Sequence, residues 1–149
     1  MPTRNGTTGR AFFQELAVDL LGQGLAVRFR AGGRSMAPAI TDGAHVRVEP
    51  VDAAAVRPGD ILLVESPRGT IAHRLVRIEE GGGERLLVLK GDSSAEADAP
   101  VPASRLIGRV TLVERAGRLV APRRPPRIKR ALRAAAQAFA RLALGRVGG

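Results

Sequence analysis

Four side chains in this sequence have types and surroundings suited to hydrolytic chemistry: Ser35, His73, Asp92 and Asp98. Ser35 stands in "GGRSMAPAITDG", residues 32–43, with glycines ahead of it and a proline and a glycine behind. A nucleophilic serine needs such a setting, because its Oγ must be exposed on a strand-to-turn corner while nearby N–H groups stay free for an oxyanion. Two histidines offer a base, His73 in "IAHRLV" and His45 in "GAHVRV". Strand alternation places His73 on a face with Ile71 and Leu75, and Ala72, Arg74 and Val76 on the other. Taken alone, His73 reads first as a hydrogen-bonded core or cross-strand histidine and second as a general base. His45, in the alternating run "HVRVEP", reads as a surface or edge residue, and Arg34 first as a solvated side chain and second as a residue that favours an acid in the substrate. Asp92 and Asp98 lie in "LKGDSSAEADAPV", where Asp-Ser-Ser readily bonds local backbone and a hydrophilic turn is the plain alternative. The conjunction says more than any part: "GRSM", "AHR" and "KGD" follow one another, each in a strand or at a strand end.

The chemistry available to such a set is acyl transfer. A neutral imidazole, with an ordinary pKa of about 6.5, takes a serine proton near neutral pH and returns it to a leaving amine. A carboxylate fixes the tautomer and stabilises the imidazolium. The oxyanion falls to the N–H of Ser35, with a second donor expected from the glycine-rich approach, where Gly33 has only backbone to offer.

Several elements must hold these groups in place. In residues 11–21 the apolar positions Phe12, Phe13, Leu16, Ala17, Leu20 and Leu21 recur at helical steps, and Gly22 and Gly24 supply a stop. A short N-terminal helix within residues 1–24 follows. "LAVRFRA" has the period of a half-buried strand leading directly to Ser35. "HVRVEP", "DILLVES", "TIAHRLVRIEE", "RLLVLK" and "RLIGRVTLVER" are further strands, separated by the turn-rich "RPGD", "SPRG" and "GGGE". Residues 25–120 therefore read as a mainly β domain. The prolines of "APRRPPR" cannot donate to a ladder, so residues 121–127 mark a linker. Beyond it, residues 128–149 have the composition and period of a basic amphipathic helix: Ile128, Leu132, Ala135, Phe139 and Leu142 recur at helical steps beside Lys129, Arg130, Arg133 and Arg141.

Composition narrows the function classes. The chain of 149 residues suits one domain with appendages. It has no cysteine, which excludes disulfides, thiolate nucleophiles and Cys-based zinc sites, and two histidines are too few for a convincing metal cage. No cofactor is expected. With four Phe and neither Tyr nor Trp, it lacks aromatic platforms for stacking bases, which argues against single-stranded nucleic acid. The net charge of +10 is uneven: residues 121–149 carry eight basic and no acidic side chains, leaving 16 basic and 14 acidic in residues 1–120. Such a tail suits an anionic membrane surface. Glu15 and Asp19 interrupt the first apolar stretch, and no run approaches the roughly 20 apolar residues of a spanning helix, so neither a signal peptide nor a membrane span is expected. The expected location is cytoplasmic, or peripheral at the inner membrane surface.

From about Arg30 to Val110 the sequence resembles the signal peptidase I superfamily, most closely its archaeal and endoplasmic-reticulum-type branch with a Ser-His-Asp centre. The matching pieces are "GRSMAPAI", "RPGDILLV", "IAHRLVRI", "LKGDSSAEAD" and "LIGRV". The resemblance implies Ser35 as nucleophile, and His73 as general base where bacterial-type relatives and LexA-type self-cleaving repressors have lysine. It implies Asp98 as the acid that orients the base, with Asp92 as support in the neighbouring box. It also implies a coiled, mostly antiparallel β fold of the LexA and signal peptidase type, with an extended substrate groove and small residues next to the cut. Ala44 stands where the family's second box usually has Asp, and Ser93 and Ser94 where it usually has asparagines. The expectation is a serine endopeptidase that removes a signal or leader segment from a precursor protein or peptide. The alternative is a non-catalytic or self-cleaving regulatory module with a peptidase-like fold and an Arg-rich tail, whose phosphate contacts would lack sequence readout.

Overall fold

The computed structural model describes residues 5–124, and their side chains from Gln14 onward. The expected C-terminal helix at 128–149 and the last part of the 121–127 linker lie outside the described residues, and with them the basic tail on which the membrane-surface expectation rests.

Among the described residues, one α-helix precedes eight strands, with two short 3-10 turns between strands. The helix, α1 (Asn5–Gly22), begins earlier than the apolar period alone predicts. Once a helical nucleus exists, each added residue gains a hydrogen bond, so weak formers such as Gly6, Thr7 and Thr8 are carried along. The strands are β1 (Val27–Arg30), β2 (His45–Glu49), β3 (Ile61–Ser66), β4 (Gly69–Gly81), β5 (Glu84–Lys90), β6 (Val101–Pro102), β7 (Leu106–Arg115) and β8 (Arg118–Val120). Six of these coincide with the alternating runs. The short β6 and β8 carry too few residues to show a period.

The strands form one antiparallel sheet in the order β1-β2-β7-β3-β4-β5-β6, with β8 beside the end of β7, and the sheet curls into a half-barrel. β3 lies at its centre, and Ile61, Leu62, Leu63 and Val64 are all buried. Alternation sends Ile61 and Leu63 into one apolar cluster with Val46, Val48, Val110 and Val113, and Leu62 and Val64 into another with Leu75, Leu87 and Leu89. Burying such a side chain contributes about 1.5–3 kcal/mol, so four consecutive residues buried on both faces of β3 anchor the whole sheet. α1 docks Leu21 into the first cluster. Among the described residues, no helix is long and apolar enough to cross a membrane.

Two features of this sheet bear on the site. "RPGD" forms a tight turn before β3: the Asp60 N–H donates to the Arg57 carbonyl at 3.0 Å, and Gly59 has φ of +100°, a conformation that Cβ-bearing residues resist. β4 pairs with β3 from Gly69 to Arg74, but with β5 only from Arg74 to Gly81, so its first half has one open edge. β1 pairs with β2 alone.

Candidate active site

Ser35 sits on the turn that follows β1. The loop that carries it is closed at its base by Ala31 N–H to the Ala44 carbonyl and Gly43 N–H to the Ala31 carbonyl, both at 2.8 Å. Met36 and Ile40 point inward and are 5% and 4% exposed, whereas Ser35 is exposed. The Ser-Met pair therefore has a division of labour: the methionine pins the turn into the first cluster, and the serine is held out on its rim. Residues 91–94 brace the other side. The Ser93 N–H donates to the Ser35 carbonyl at 2.9 Å, and Ser93 Oγ donates to the Ala37 carbonyl at 2.7 Å. Gly91 passes so close that a Cβ there would lie 2.8 Å from the Ser35 carbonyl oxygen, so this position has no room for a side chain.

His73 occupies the middle of β4, opposite Leu62 of β3, with Ile71 and Leu75 on its face as alternation predicts. Its Nε2 lies 3.0 Å from Ser35 Oγ, and its Nδ1 lies 2.5 Å from Asp98 Oδ2. Asp98 is fixed by its own backbone, whose N–H donates to the Leu89 carbonyl at 2.8 Å. An ionised carboxylate only accepts, so Nδ1 carries the proton and Nε2 presents its lone pair to the serine hydroxyl. The His73 side chain is 13% exposed and that of Asp98 30%. The pair is thus sheltered while the serine faces solvent.

Asp92 does not join this line. Its two carboxylate oxygens accept from Arg74 Nε and Nη2, each at 2.8 Å, and Arg74 Nη1 donates to the Gly59 carbonyl at 2.8 Å. Arg74 is 7% exposed, the one buried charged residue among the described side chains. A planar guanidinium satisfied on both its edges ties the "RPGD" turn, the histidine strand and the aspartate loop together. Asp92 therefore acts on the site through Arg74 and has no contact with the imidazole. The second oxyanion donor expected from the glycine-rich approach is corrected in one respect: the Gly33 N–H is committed to Asp42 Oδ1 at 2.9 Å. Among the described residues, nothing accepts from the Ser35 N–H.

Sequence reasoning passed over Arg74, Gly91 and Ser93 as site residues. Arg74 had left a signal, a lone charge on the strand face shared by Ala72 and Val76. Gly91 had left none, because close approach between segments 56 residues apart is a tertiary fact. His45 lines the same groove as Ser35 but stands outside the Ser35–His73–Asp98 line, with Nδ1 3.0 Å from Glu114 Oε2. That hydrogen bond, with the charges of His45 and Arg28, holds the Glu114 carboxyl below its ordinary value.

A groove of about 990 Å³ opens beside Ser35 and His73. Its walls are α1 through Gln14, Ala17 and Val18, the edge of β1, and the open first half of β4 through Ile71 and Ala72. No protein-family model matches the chain, and no curated protein matches it significantly.

Proposed function

We propose that the protein is a serine endopeptidase of signal-peptidase-like type, cleaving a signal or leader segment from a precursor protein or peptide. The observation that carries this is the continuous Ser35–His73–Asp98 chain of contacts at the mouth of a groove between two unpaired strand edges. Such edges suit an extended peptide, which docks by main-chain hydrogen bonds and sends alternate side chains to the walls. The curled antiparallel sheet also fits the coiled architecture of the LexA and signal peptidase type.

Ser35 Oγ attacks the scissile carbonyl carbon as His73 Nε2 takes the hydroxyl proton. The carbonyl π electrons move to oxygen, where the Ser35 N–H stabilises the developing charge. The resulting imidazolium is held by Asp98 through Nδ1–H. Collapse of the tetrahedral intermediate breaks the C–N bond, and Nε2 gives its proton to the leaving amine. Water then attacks the acyl-enzyme, loses a proton to Nε2, and the second collapse releases the acid and restores the Ser35 hydroxyl.

The test is labelling with a small serine-directed phosphonate, followed by peptide mapping. Modification of Ser35 in the wild type, and its loss in His73→Ala, is the expected result. A wild-type protein that takes no label and cuts no peptide favours a binding module instead.

A further inference from the structure

The groove has one bank that catalysis leaves unused. Along the edge strand β1, Val27, Phe29 and Ala31 pack on the first apolar cluster, so Arg28 and Arg30 point to the opposite face, where both are exposed and border the groove. All 14 acidic residues of the chain lie among the described residues, yet none is ion-paired with Arg28, Arg30 or Arg34. Of the acids in that region, Glu114 bonds His45 and feels the Arg28 charge without an ion-pair contact to it, and Asp42 accepts from the Gly33 N–H. Arg28 lies directly across from Arg47, and Arg30 across from His45. Arg47 is itself paired with Glu49. Like charges facing each other across a strand pair weaken a sheet, so an acidic group docked opposite Arg28 and Arg30 would relieve this row.

A peptide strand added to β1 continues the pleat, and its residues alternate between the apolar wall and the arginine bank. Resting on the peptidase reading of the site, we infer that the substrate segment carries two acidic residues at positions i and i+2 of the docked strand, opposite Arg28 and Arg30. The residues beside and between them face the wall formed by Phe29 and Ala72, and are small or apolar. The substrate class is therefore an extended acidic leader whose charges share one parity.

The experiment moves an Asp-x-Asp pair one residue at a time through an alanine-rich host peptide and measures kcat/KM at each position. A shift of one residue turns both carboxylates onto the apolar wall, so cleavage should alternate with position instead of following net charge. The best in-phase peptide should be cut about tenfold faster than its Asn-x-Asn analogue, and added salt should shrink that advantage. R28E/R30E should invert the order in favour of Lys-x-Lys, and R28Q/R30Q should erase it. Phosphonate labelling of Ser35 follows the catalytic centre separately. Labelled enzyme that cuts in-phase, out-of-phase and Asn-x-Asn peptides alike overturns the acidic preference and leaves the peptidase standing. If no peptide is cut and no label taken, the peptidase fails; anisotropy of the same peptides, fluorescently labelled, on Ser35→Ala protein then decides the parity preference alone.

Discussion

Both histidines of this protein present Nδ1 to a carboxylate, and only one of the two arrangements has the makings of a catalytic centre. His73 meets Asp98 at 2.5 Å and His45 meets Glu114 at 3.0 Å, each across long sequence separation. They differ in what surrounds the pair. The His73 side chain is sheltered, 13% exposed against 30% for His45. Its free nitrogen faces a serine held out on a pinned turn, whereas among the described residues nothing is bonded to Nε2 of His45. A histidine–carboxylate pair orients an imidazole, and chemistry begins only when the other ring nitrogen has a proton to take.

The strongest way to break this contrast is to remove the serine or the base. Ser35→Ala and His73→Ala should each lower kcat by about 10⁴-fold or more, and the double variant should be little worse than either, because the two act as a unit. Both should unfold cooperatively in urea. Additive losses in kcat would mean that His73 does not serve Ser35.

Next in size is the orienting acid. Asp98→Asn should cost about 10³- to 10⁴-fold in kcat with little change in KM, since an amide donates where the carboxylate accepts and so favours the wrong tautomer. Asp92→Asn should change kcat far less. The reverse ranking would transfer the orienting role to Asp92.

Removing the brace beneath the centre tests stability more than chemistry. Arg74→Ala strands the Asp92 carboxylate and the Gly59 carbonyl, and should destabilise by about 3 kcal/mol in denaturant melts. Asp92→Asn keeps one acceptor and should cost about 1–2 kcal/mol. Equal, negligible losses would show that the guanidinium does not tie the loops together.

The smallest effect is expected at the non-catalytic pair. His45→Gln and Glu114→Gln should leave kcat on an uncharged peptide unchanged. Because the folded protein holds the Glu114 carboxyl below its ordinary value, ionised Glu114 favours the folded state above the usual carboxylate range, and that contribution is lost as pH falls through its lowered folded value. The stability difference between wild type and Glu114→Gln should therefore be present at neutral pH and fade in acid. A difference that grows in acid would contradict the lowered value.

Much of the sheet is legible in the sequence because period-two alternation is a local property. "DILLVES" shows a strand by its apolar run, and the turns around it show themselves by Pro, Gly and Ser. Ser35 also stood out, by the glycines and proline around it, whereas His73 and Asp98 stood out only through the conjunction of motifs and the resemblance. The division of roles between Asp92 and Asp98 was legible only through resemblance, and local sequence offers no means to separate two aspartates in one loop. Arg74 decides it geometrically, by occupying both oxygens of Asp92 and leaving Asp98 for the imidazole.

By itself, then, the sequence determined the six longer strands and the turn that exposes the serine, which depend on neighbours a few residues apart, and, through composition, the absence of thiol chemistry. Tertiary structure alone decided that β4 brings His73 to Ser35 across 38 residues, that Gly91 leaves room for the Ser35 turn, and that Arg28 and Arg30 line the same groove. The physical reason is range. Backbone preference and side-chain alternation act within a strand, whereas an ion pair, a close approach or a shared groove exists only after the sheet has curled and brought distant segments within a few ångströms of one another.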